Sequence, residues 1–147
     1  MQPQALSNAV NPMARARVLL AEDDTELRSL LAATLREDGY EVVDAEDGTA
    51  LLDRLAEALA NERGLDSYDL VVTDIRMPGY DAFDVMLGMR RLMVDMPFVL
   101  ITAFGDTLTH RRAEQLGAAA VLDKPFDLEE LRAAVYEVLR DRPPLPY

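Results

Sequence analysis

The sequence predicts an α/β fold in which a doubly wound, five-stranded parallel sheet is flanked by five helices. Short apolar runs alternate with segments in which apolar residues recur at helical spacing, and this alternation favours parallel strands covered by helices on both faces. The connections are short, as right-handed crossovers in such a sheet require. With 147 residues, the chain has the usual size of one domain with a sizeable core.

The first two strand–helix units occupy the N-terminal part of the chain. RVLLAE (17–22) is a short apolar run typical of a buried strand, and leucines then recur at helical spacing until Gly39 stops the helix. YEVVDA (40–45) is the second predicted strand. Residues 48–63 are rich in alanine and leucine and are predicted to form the second helix, which ends near Gly64.

The third unit begins with DLVVTD (69–74), an apolar strand that ends in a carboxylate. A carboxylate at the end of a hydrophobic run is costly to bury unless another group compensates it, so Asp74 needs an explanation. A helix is predicted over 83–94, and Pro97 opens the fourth strand, FVLITA (98–103).

The last two helices surround the fifth strand. Asp106 is placed to cap a helix that ends at Gly117, and residues 119–123 form the fifth predicted strand. Asp127 and Glu130 have the spacing of a capping box at the start of the last helix. The apolar stripe of that helix consists of Leu128, Leu131, Val135 and Val138.

The ends of the chain differ in character from its centre. Residues 1–15 are polar, contain two prolines and show no periodicity, which predicts a flexible extension. Residues 16–141 are predicted to form the single domain, and the proline-rich residues 142–147 form a tail. No second domain is expected to follow.

The composition limits the classes of partner. A formal net charge of −12 repels phosphate backbones, so nucleic acid is not expected to bind, whereas divalent cations and basic or amphipathic proteins are favoured. The chain has no cysteine, so disulfides and thiolate metal sites are excluded. No apolar run has the length of a membrane span and no secretory signal is present, so a cytoplasmic protein that does not bind membranes is expected.

Charged and polar residues follow four of the predicted strands at their carboxyl ends. In doubly wound sheets, ligands bind beyond these ends. Neighbouring carboxylates repel each other, so either one carries a proton or a cation lies among them, and hard oxygen ligands suit Mg²⁺ or Mn²⁺. The residues concerned are Glu22, Asp23, Asp24, Asp74, Thr102, Asp123 and Lys124.

Each of these residues also has a purely structural interpretation. Asp24 is well placed as the N-cap of the first helix, and Asp74 could simply bond to its own turn. Lys124 is the sharpest single observation, because it is the only lysine in a chain whose other fourteen basic residues are arginines. A compact ammonium can reach one oxygen atom where the planar fork of arginine would fit poorly.

Four motifs in this order resemble the receiver domain of two-component response regulators. VLLAEDD resembles the first strand and acidic pair of that family, and VVTDIRMPG resembles its phosphorylated strand end. ITAFGD resembles the fourth strand with its hydroxyl residue, and LDKPF the lysine loop. The resemblance covers about residues 16–141 and implies a flavodoxin-like sheet with the strand order 2-1-3-4-5.

The resemblance implies a phosphoryl-transfer role. Asp74 would accept a phosphoryl group from a phosphohistidine of a sensor histidine kinase or a histidine phosphotransfer protein. Lys124 and Thr102 would bind the phosphoryl oxygens, and the Lys124–Pro125 peptide bond would be cis. A downstream protein partner is expected but not identified, and the chain is expected to be a monomer or weak dimer.

The same resemblance implies a Mg²⁺ (or Mn²⁺) site. Asp23 and Asp74 would bind the ion directly, with the backbone carbonyl of Arg76 as a third ligand and Glu22 acting through a water molecule. A metal and an ammonium together neutralise the oxygens of a phosphoryl group during its transfer.

Three features depart from the family pattern. Val121 stands three residues before the lysine, where receivers usually carry a Tyr or Phe that changes rotamer on activation. Ala82 replaces the second glycine that often follows the Pro-Gly turn, and Asp23 and Asp74 are 51 positions apart (74 − 23), more than is usual. The extra length is expected in the second helix and the loop after it.

Two alternative functions remain open on the sequence. A degenerate receiver would bind its partner without phosphorylation, and Val121 keeps this alternative in play. A metal-dependent phosphohydrolase would use Asp74 as nucleophile, but Arg76 occupies the position where such enzymes carry an acid/base aspartate. A signalling module that is not a turnover enzyme is therefore expected.

The helix predicted from Asp106 contains two features of interest. His110 is the only histidine and is expected to be a solvated side chain rather than a phosphodonor. The helix has only Leu108, Ala113 and Leu116 as an apolar face, which predicts thin packing and a mobile surface.

Overall fold

The computed structural model describes residues 16–61, 68–103 and 105–141. The predicted extension at 1–15, the tail at 142–147 and the predicted helix end near Gly64 lie outside the described residues. Within them, strands and helices alternate strictly from the first strand to the last helix.

The described chain forms five strands and five helices. The strands are β1 (Arg17–Ala21), β2 (Glu41–Ala45), β3 (Leu70–Asp74), β4 (Phe98–Thr102) and β5 (Ala120–Asp123). The helices are α1 (Thr25–Glu37), α2 (Gly48–Ala60), α3 (Ala82–Arg91), α4 (Thr107–Gln115) and α5 (Leu128–Asp141). Each element lies within about three residues of its predicted position, which is the usual uncertainty of an element boundary.

The sheet is parallel throughout and has the order β2-β1-β3-β4-β5, so the predicted fold class and strand order are confirmed. The chain starts at β1, winds outward to β2, and then crosses over to β3 and continues in the other direction. The winding direction therefore reverses between β1 and β3, and the crevice beyond their carboxyl ends is where ligands bind in such sheets.

Alternating residues of the buried strands serve two separate cores. In β1, Val18 and Leu20 pack with α1 and α5, whereas Leu19 and Ala21 pack with α2, α3 and α4. The side chains of successive strand residues point to opposite faces, so one short apolar strand anchors both helical layers. All five residues of β3 are buried, including Asp74.

Aspartates cap four of the helices. Asp24 accepts a hydrogen bond from the N–H of Leu27 at 3.0 Å, so the prediction that it caps α1 is confirmed. Asp47 and Asp106 cap α2 and α4 in the same way. At α5, Glu130 accepts from the backbone N–H of Asp127 at 3.3 Å, which confirms one half of the predicted capping box.

A capping box that was not predicted from the sequence determines where α3 begins. Asp81 accepts from the N–H of Asp84 at 2.8 Å while Asp84 accepts from the N–H of Asp81, so the helix starts at Ala82. The helix ends at Arg91 rather than at 94, because Met93 adopts a left-handed conformation with φ 58°.

Helix α4 is packed even more thinly than the sequence predicts. Ala113 is its one buried residue, and Leu116 lies partly buried against the core that α2, α3 and α4 cover, here called the α2–α4 core. Leu108 was expected on the apolar face, but 73% of its surface is exposed, so that prediction was wrong. The first turn points Leu108 toward solvent, while Thr109 and His110 lie nearer the body of the protein.

No helix in the described ranges combines the length and the apolar composition that a bilayer crossing requires.

Candidate functional site

The carboxyl edge of the sheet gathers an acidic cluster around one ammonium. Ligand oxygens of Glu22, Asp23 and Asp74 lie within 4.8 Å of one another. Nζ of Lys124 lies 2.8 Å from Oδ2 of Asp74 and 3.1 Å from Oε1 of Glu22. Residues separated by up to 102 positions therefore meet in one site because parallel strands end at the same edge of the sheet.

Asp74 ends β3 at the centre of this cluster, with only 6% of its surface exposed. Its Oδ1 accepts a hydrogen bond from the N–H of Arg76 at 3.2 Å, so the aspartate does bond to its own turn. Its Oδ2 accepts from Lys124 at 2.8 Å. The buried carboxylate is thus compensated by a backbone donor and by an ammonium, and the structural and functional interpretations of this residue hold together.

Glu22 is fully buried directly after β1, which is rare for a charged side chain. Its Oε2 accepts from the N–H of Asp24 at 3.0 Å. Its Oε1 faces Lys124 at ion-pair distance but with poor alignment, and no hydrogen bond satisfies it among the described residues. Burial raises the pKa of Glu22, and the negative charge of Asp74 adds to this effect against the bond from Asp24 and the attraction of Lys124.

Lys124 is held in place by the backbone on both sides. Its N–H donates to the carbonyl of Thr102 at 2.8 Å, and its peptide bond to Pro125 is cis, as predicted from the resemblance. Burial tends to lower the pKa of Lys124, but the contacts with Asp74 and Glu22 outweigh burial and raise it. The ammonium is therefore firmly charged in the site.

Thr102 is the last residue of β4 and is 2% exposed. Register places Asp74 beside Ile101 and Thr102 beside Asp123, so the hydroxyl residue lies at the same edge as the acidic cluster. Val121 of β5 is half-buried and packs against the α2–α4 core. An aliphatic side chain therefore fills the place where a rotating aromatic ring would be expected.

The turn after Asp74 is fixed against the start of α2. The N–H of Gly48 donates to the carbonyl of Pro78 at 3.0 Å, and a side chain at Gly48 would collide with the backbone of Tyr80. Gly79 has φ +87°, which glycine adopts without strain. Ala82 is fully buried, so the departure from a second glycine is accommodated in the α3 packing.

The structure adds a residue that no sequence pattern singled out. Arg28 of α1 donates to the carbonyl of Glu22 at 2.8 Å and forms an ion pair with Asp44 of β2 at 3.9 Å. It thereby holds the loop that carries the acidic pair. A single arginine in a helical stretch has no distinctive spacing, so this role becomes visible only once β1 and β2 are side by side.

A second missed contact involves His110, which was expected to be solvated. Its Nε2 lies 2.8 Å from Oδ1 of Asp123, so the side chain has a charged partner at the end of β5. The two residues lie 13 positions apart on a helix and a strand, and no sequence motif links them. The side chain is 39% exposed, as expected of a solvated histidine, and what the sequence did not predict is its contact with Asp123.

The acidic cluster suits a small divalent cation. The available donors are carboxylate oxygens, which Mg²⁺ and Mn²⁺ prefer, and Glu22 contributes a buried oxygen that no hydrogen bond satisfies in the described residues. Asp23 is exposed, so the cluster is open to solvent and a bound ion could keep water molecules. These observations fit the Mg²⁺ site that the sequence resemblance implies.

Comparison with known proteins identifies the family of this site. The sequence profile of the response regulator receiver domain matches residues 18–136, so the chain belongs to this family of two-component signalling modules. The transcriptional regulatory protein TcrA of Mycobacterium tuberculosis is 37% identical over 130 residues, which are 88% of this chain and 48% of that protein. The chain thus spans about half the length of this relative.

Two further proteins show the same likeness at different lengths. Sporulation initiation phosphotransferase F of Bacillus subtilis is 29% identical over 86% of this chain and 96% of its own length. The non-phosphorylated HemR receiver domain of Leptospira biflexa superposes with a TM-score of 0.73 and 32% identity, covering 90% of this chain and 99% of that one. The similarity therefore covers sequence and backbone together.

Proposed function

We propose that Asp74 is the phosphoacceptor of this receiver domain, which residues 16–141 form. The observation that carries the proposal is the contact of 2.8 Å between Lys124 Nζ and the Asp74 carboxylate within the acidic cluster. A buried aspartate with an ammonium and a cation site beside it is arranged for phosphoryl transfer, which depends on positioning and charge neutralisation.

The reaction is a displacement at phosphorus. A carboxylate oxygen of Asp74 forms the new O–P bond while the N–P bond of a phosphohistidine breaks, and the imidazole nitrogen leaves with the bonding pair and takes up a proton. Lys124 remains next to the transferred oxygens and offsets their charge. Thr102 lies at the neighbouring strand end, where its hydroxyl can donate to a phosphoryl oxygen.

A divalent cation would be held by Asp23 and Asp74, by the backbone carbonyl of Arg76, and by Glu22 through water. When bound, Mg²⁺ supplies a positive charge that stabilises the phosphoryl oxygens. Arg28 contributes indirectly, since its bond to the Glu22 carbonyl holds the acidic loop in place. The domain catalyses only its own phosphorylation and dephosphorylation in this proposal.

The phosphoryl group would come from a sensor histidine kinase or a histidine phosphotransfer protein. An aspartyl phosphate adds charge and acceptor oxygens that can draw a neighbouring loop into a second state. Phosphorylation would then switch the binding of a protein partner, or the phosphoryl group would be passed on to another histidine. The acidic net charge of −12 favours protein partners over nucleic acid for this domain.

The test uses acetyl phosphate as a small phosphodonor. We expect Mg²⁺-dependent labelling that approaches one phosphoryl group per chain in the wild type, and none in Asp74→Asn. Asp53→Asn is the matched control, because it makes the same carboxylate-to-amide change at an exposed position of α2. Mass spectrometry of the intact protein measures the added phosphoryl group.

Three other results would contradict the proposal or favour a different function. Labelling that persists in Asp74→Asn would contradict the assignment of the acceptor. Sustained release of phosphate from a small ester would favour a phosphohydrolase instead. Partner binding that is unchanged in Asp74→Asn would favour a receiver that acts without phosphorylation.

A further inference from the structure

One contact joins α4 directly to the edge that carries the site. Nε2 of His110 lies 2.8 Å from Oδ1 of Asp123, the last residue of β5. A carboxylate only accepts hydrogen bonds, so this contact is a hydrogen bond when the imidazole carries a proton on Nε2. The bond is charge-assisted because its acceptor is ionised, and such bonds are shorter and stronger than those between neutral groups.

Asp123 is a direct neighbour of the reacting groups along the chain and across the sheet. It precedes Lys124, whose ammonium touches Asp74. It also pairs in register with Thr102, whose carbonyl accepts the backbone N–H of Lys124 at 2.8 Å. A shift of Asp123 therefore moves the residues on which Lys124 and Thr102 depend.

Gly105, which lies between β4 and α4, is close to the same pair. A side chain at Gly105 would collide with Oδ1 of Asp123 and would approach Nε2 of His110 to 3.0 Å. The backbone at Gly105, three residues after Thr102, thus lies directly against the hydrogen bond. A displacement of Gly105 toward β5 would therefore disturb the His110–Asp123 contact.

Helix α4 has few other contacts that could set its position. Ala113 is its only buried residue, and its first turn is fixed by the Asp106 cap. Val121 packs against the same core as Ala113 but has neither an aromatic ring nor a hydroxyl that could respond to a movement of Thr102. The polar contact at His110 therefore adds a link between α4 and the sheet where the apolar packing is thin.

We propose that His110 is a positioning residue for Lys124: by binding Asp123, it fixes the turn that presents the ammonium to Asp74 and couples that turn to α4. This inference rests on the proposed phosphoacceptor function. In this chain, the coupling between the site and α4 runs through a histidine–aspartate pair at the surface instead of through a buried aromatic side chain.

The experiment measures two properties of the same variants. The first is the rate of labelling by acetyl phosphate with Mg²⁺. The second is the change in hydrogen exchange of the α4 amides when beryllium fluoride, an analogue of the phosphoryl group, binds with Mg²⁺. The variants are His110→Ala, Asp123→Ala and their combination. Both side chains are partly exposed, at 39% and 52%, so the variants are expected to fold.

We expect His110→Ala to slow labelling by about threefold to tenfold, the range of a lost hydrogen bond, and to weaken the response of α4 to beryllium fluoride. Asp123→Ala should act alike, and the double variant should be no slower than the slower single variant, because both changes remove one contact. His110→Gln places an amide donor near the position of Nε2 and should restore labelling to within about twofold of the wild type. Arg111→Ala, an exposed change on the same helix, is the control and should leave both properties unchanged.

Three results would overturn the proposal. The first is that His110→Ala labels as fast as the wild type with an unchanged response of α4. The second is that the two single effects multiply in the double variant. The third is that Arg111→Ala has the same effect as His110→Ala. In all three cases the wild type still accepts the phosphoryl group, so the function of Asp74 stands. A wild type that takes up no phosphoryl group would instead overturn both proposals.

Discussion

Helices α5 and α4 lie near the same end of the chain but are held by opposite means. Leu131, Val135 and Leu139 of α5 are fully buried and form a continuous stripe against the sheet. In α4, Ala113 alone is buried, and Leu108 projects into solvent. Helix α5 is therefore held by apolar packing, whereas α4 is held by an N-cap and a few polar contacts.

This difference coincides with the position of the site. The thinly packed helix follows Thr102 through a short loop and contacts Asp123 beside Lys124. Low packing density places a segment at the low end of local stability, where small energies can move it. The layer formed by α1 and α5 therefore supports the sheet, while α4 is the element that the proposed phosphorylation of Asp74 would displace.

Truncation of one leucine in each helix gives the largest expected contrast. Leu131→Ala should lower the free energy of unfolding by about 2–5 kcal/mol, because it leaves a cavity in the fully buried stripe of α5. Leu108→Ala makes the same chemical change at a side chain that is 73% exposed, and should change this energy by less than about 0.5 kcal/mol. Urea unfolding followed by circular dichroism measures both. Similar losses in the two variants would show that α4 is packed as firmly as α5.

A smaller effect on the free energy of unfolding is expected at the acidic cluster, where the buried carboxylate of Glu22 lowers stability. Burial raises the pKa of Glu22, so Glu22→Gln should raise the free energy of unfolding at pH 7 in the absence of divalent cations. The folded protein holds the proton of Glu22 more tightly than the unfolded chain, whose glutamate has the ordinary pKa of 4.5. The wild type should therefore lose stability relative to the variant as the pH rises above 4.5.

The gain in Glu22→Gln should vanish below pH 4.5, where the glutamate is protonated in both states, and should level off above the raised pKa. Parallel urea titrations of the two proteins between about pH 4 and 8 test this, since other groups cancel in the difference. A variant that is less stable than the wild type at neutral pH would indicate that the ion pair with Lys124 outweighs the burial of Glu22.

The smallest expected effect concerns the cap of α4 and is local. The hydrogen bond from Thr109 lowers the pKa of the exposed Asp106 below its ordinary value of 3.8. Its contribution is therefore complete above pH 3.8 and is lost as the pH falls through the lowered pKa. Asp106→Ala should speed hydrogen exchange in α4 at neutral pH and leave α5 unchanged, and exchange followed by mass spectrometry resolves the two helices. Faster exchange in both helices would mean that α4 and α5 open together.

The parts of the molecule that follow a period or a motif could be predicted from sequence. The apolar run of β3 and the spacing of Leu131 and Val135 define elements whose burial depends on neighbouring residues in the chain. The motif around Lys124 predicted which residues meet at the edge of the sheet, because parallel strands bring their ends together.

What escaped prediction depends on contacts between distant residues. Arg28 reaches the Glu22 carbonyl only because α1 returns over the sheet, and His110 reaches Asp123 only because of the angle of α4. The exposure of Leu108 also depends on distant contacts. Because α4 buries so few side chains, its rotation about its own axis is determined by its N-cap and its polar contacts. Hydrophobic periodicity cannot predict the orientation of a helix that buries only one alanine.

The ammonium of Lys124 among three carboxylates has a consequence for the response to salt. Lys124 acts as a built-in counterion for these carboxylates. Its ion pairs are partly buried, and dissolved salt screens partly buried pairs far less than charges at the surface. The net charge of the whole chain is −12, and ions screen its exposed charges within about 8 Å at physiological ionic strength. Rising salt should therefore weaken the long-range attraction between this domain and any positively charged molecule, while the charge balance around Asp74 changes little.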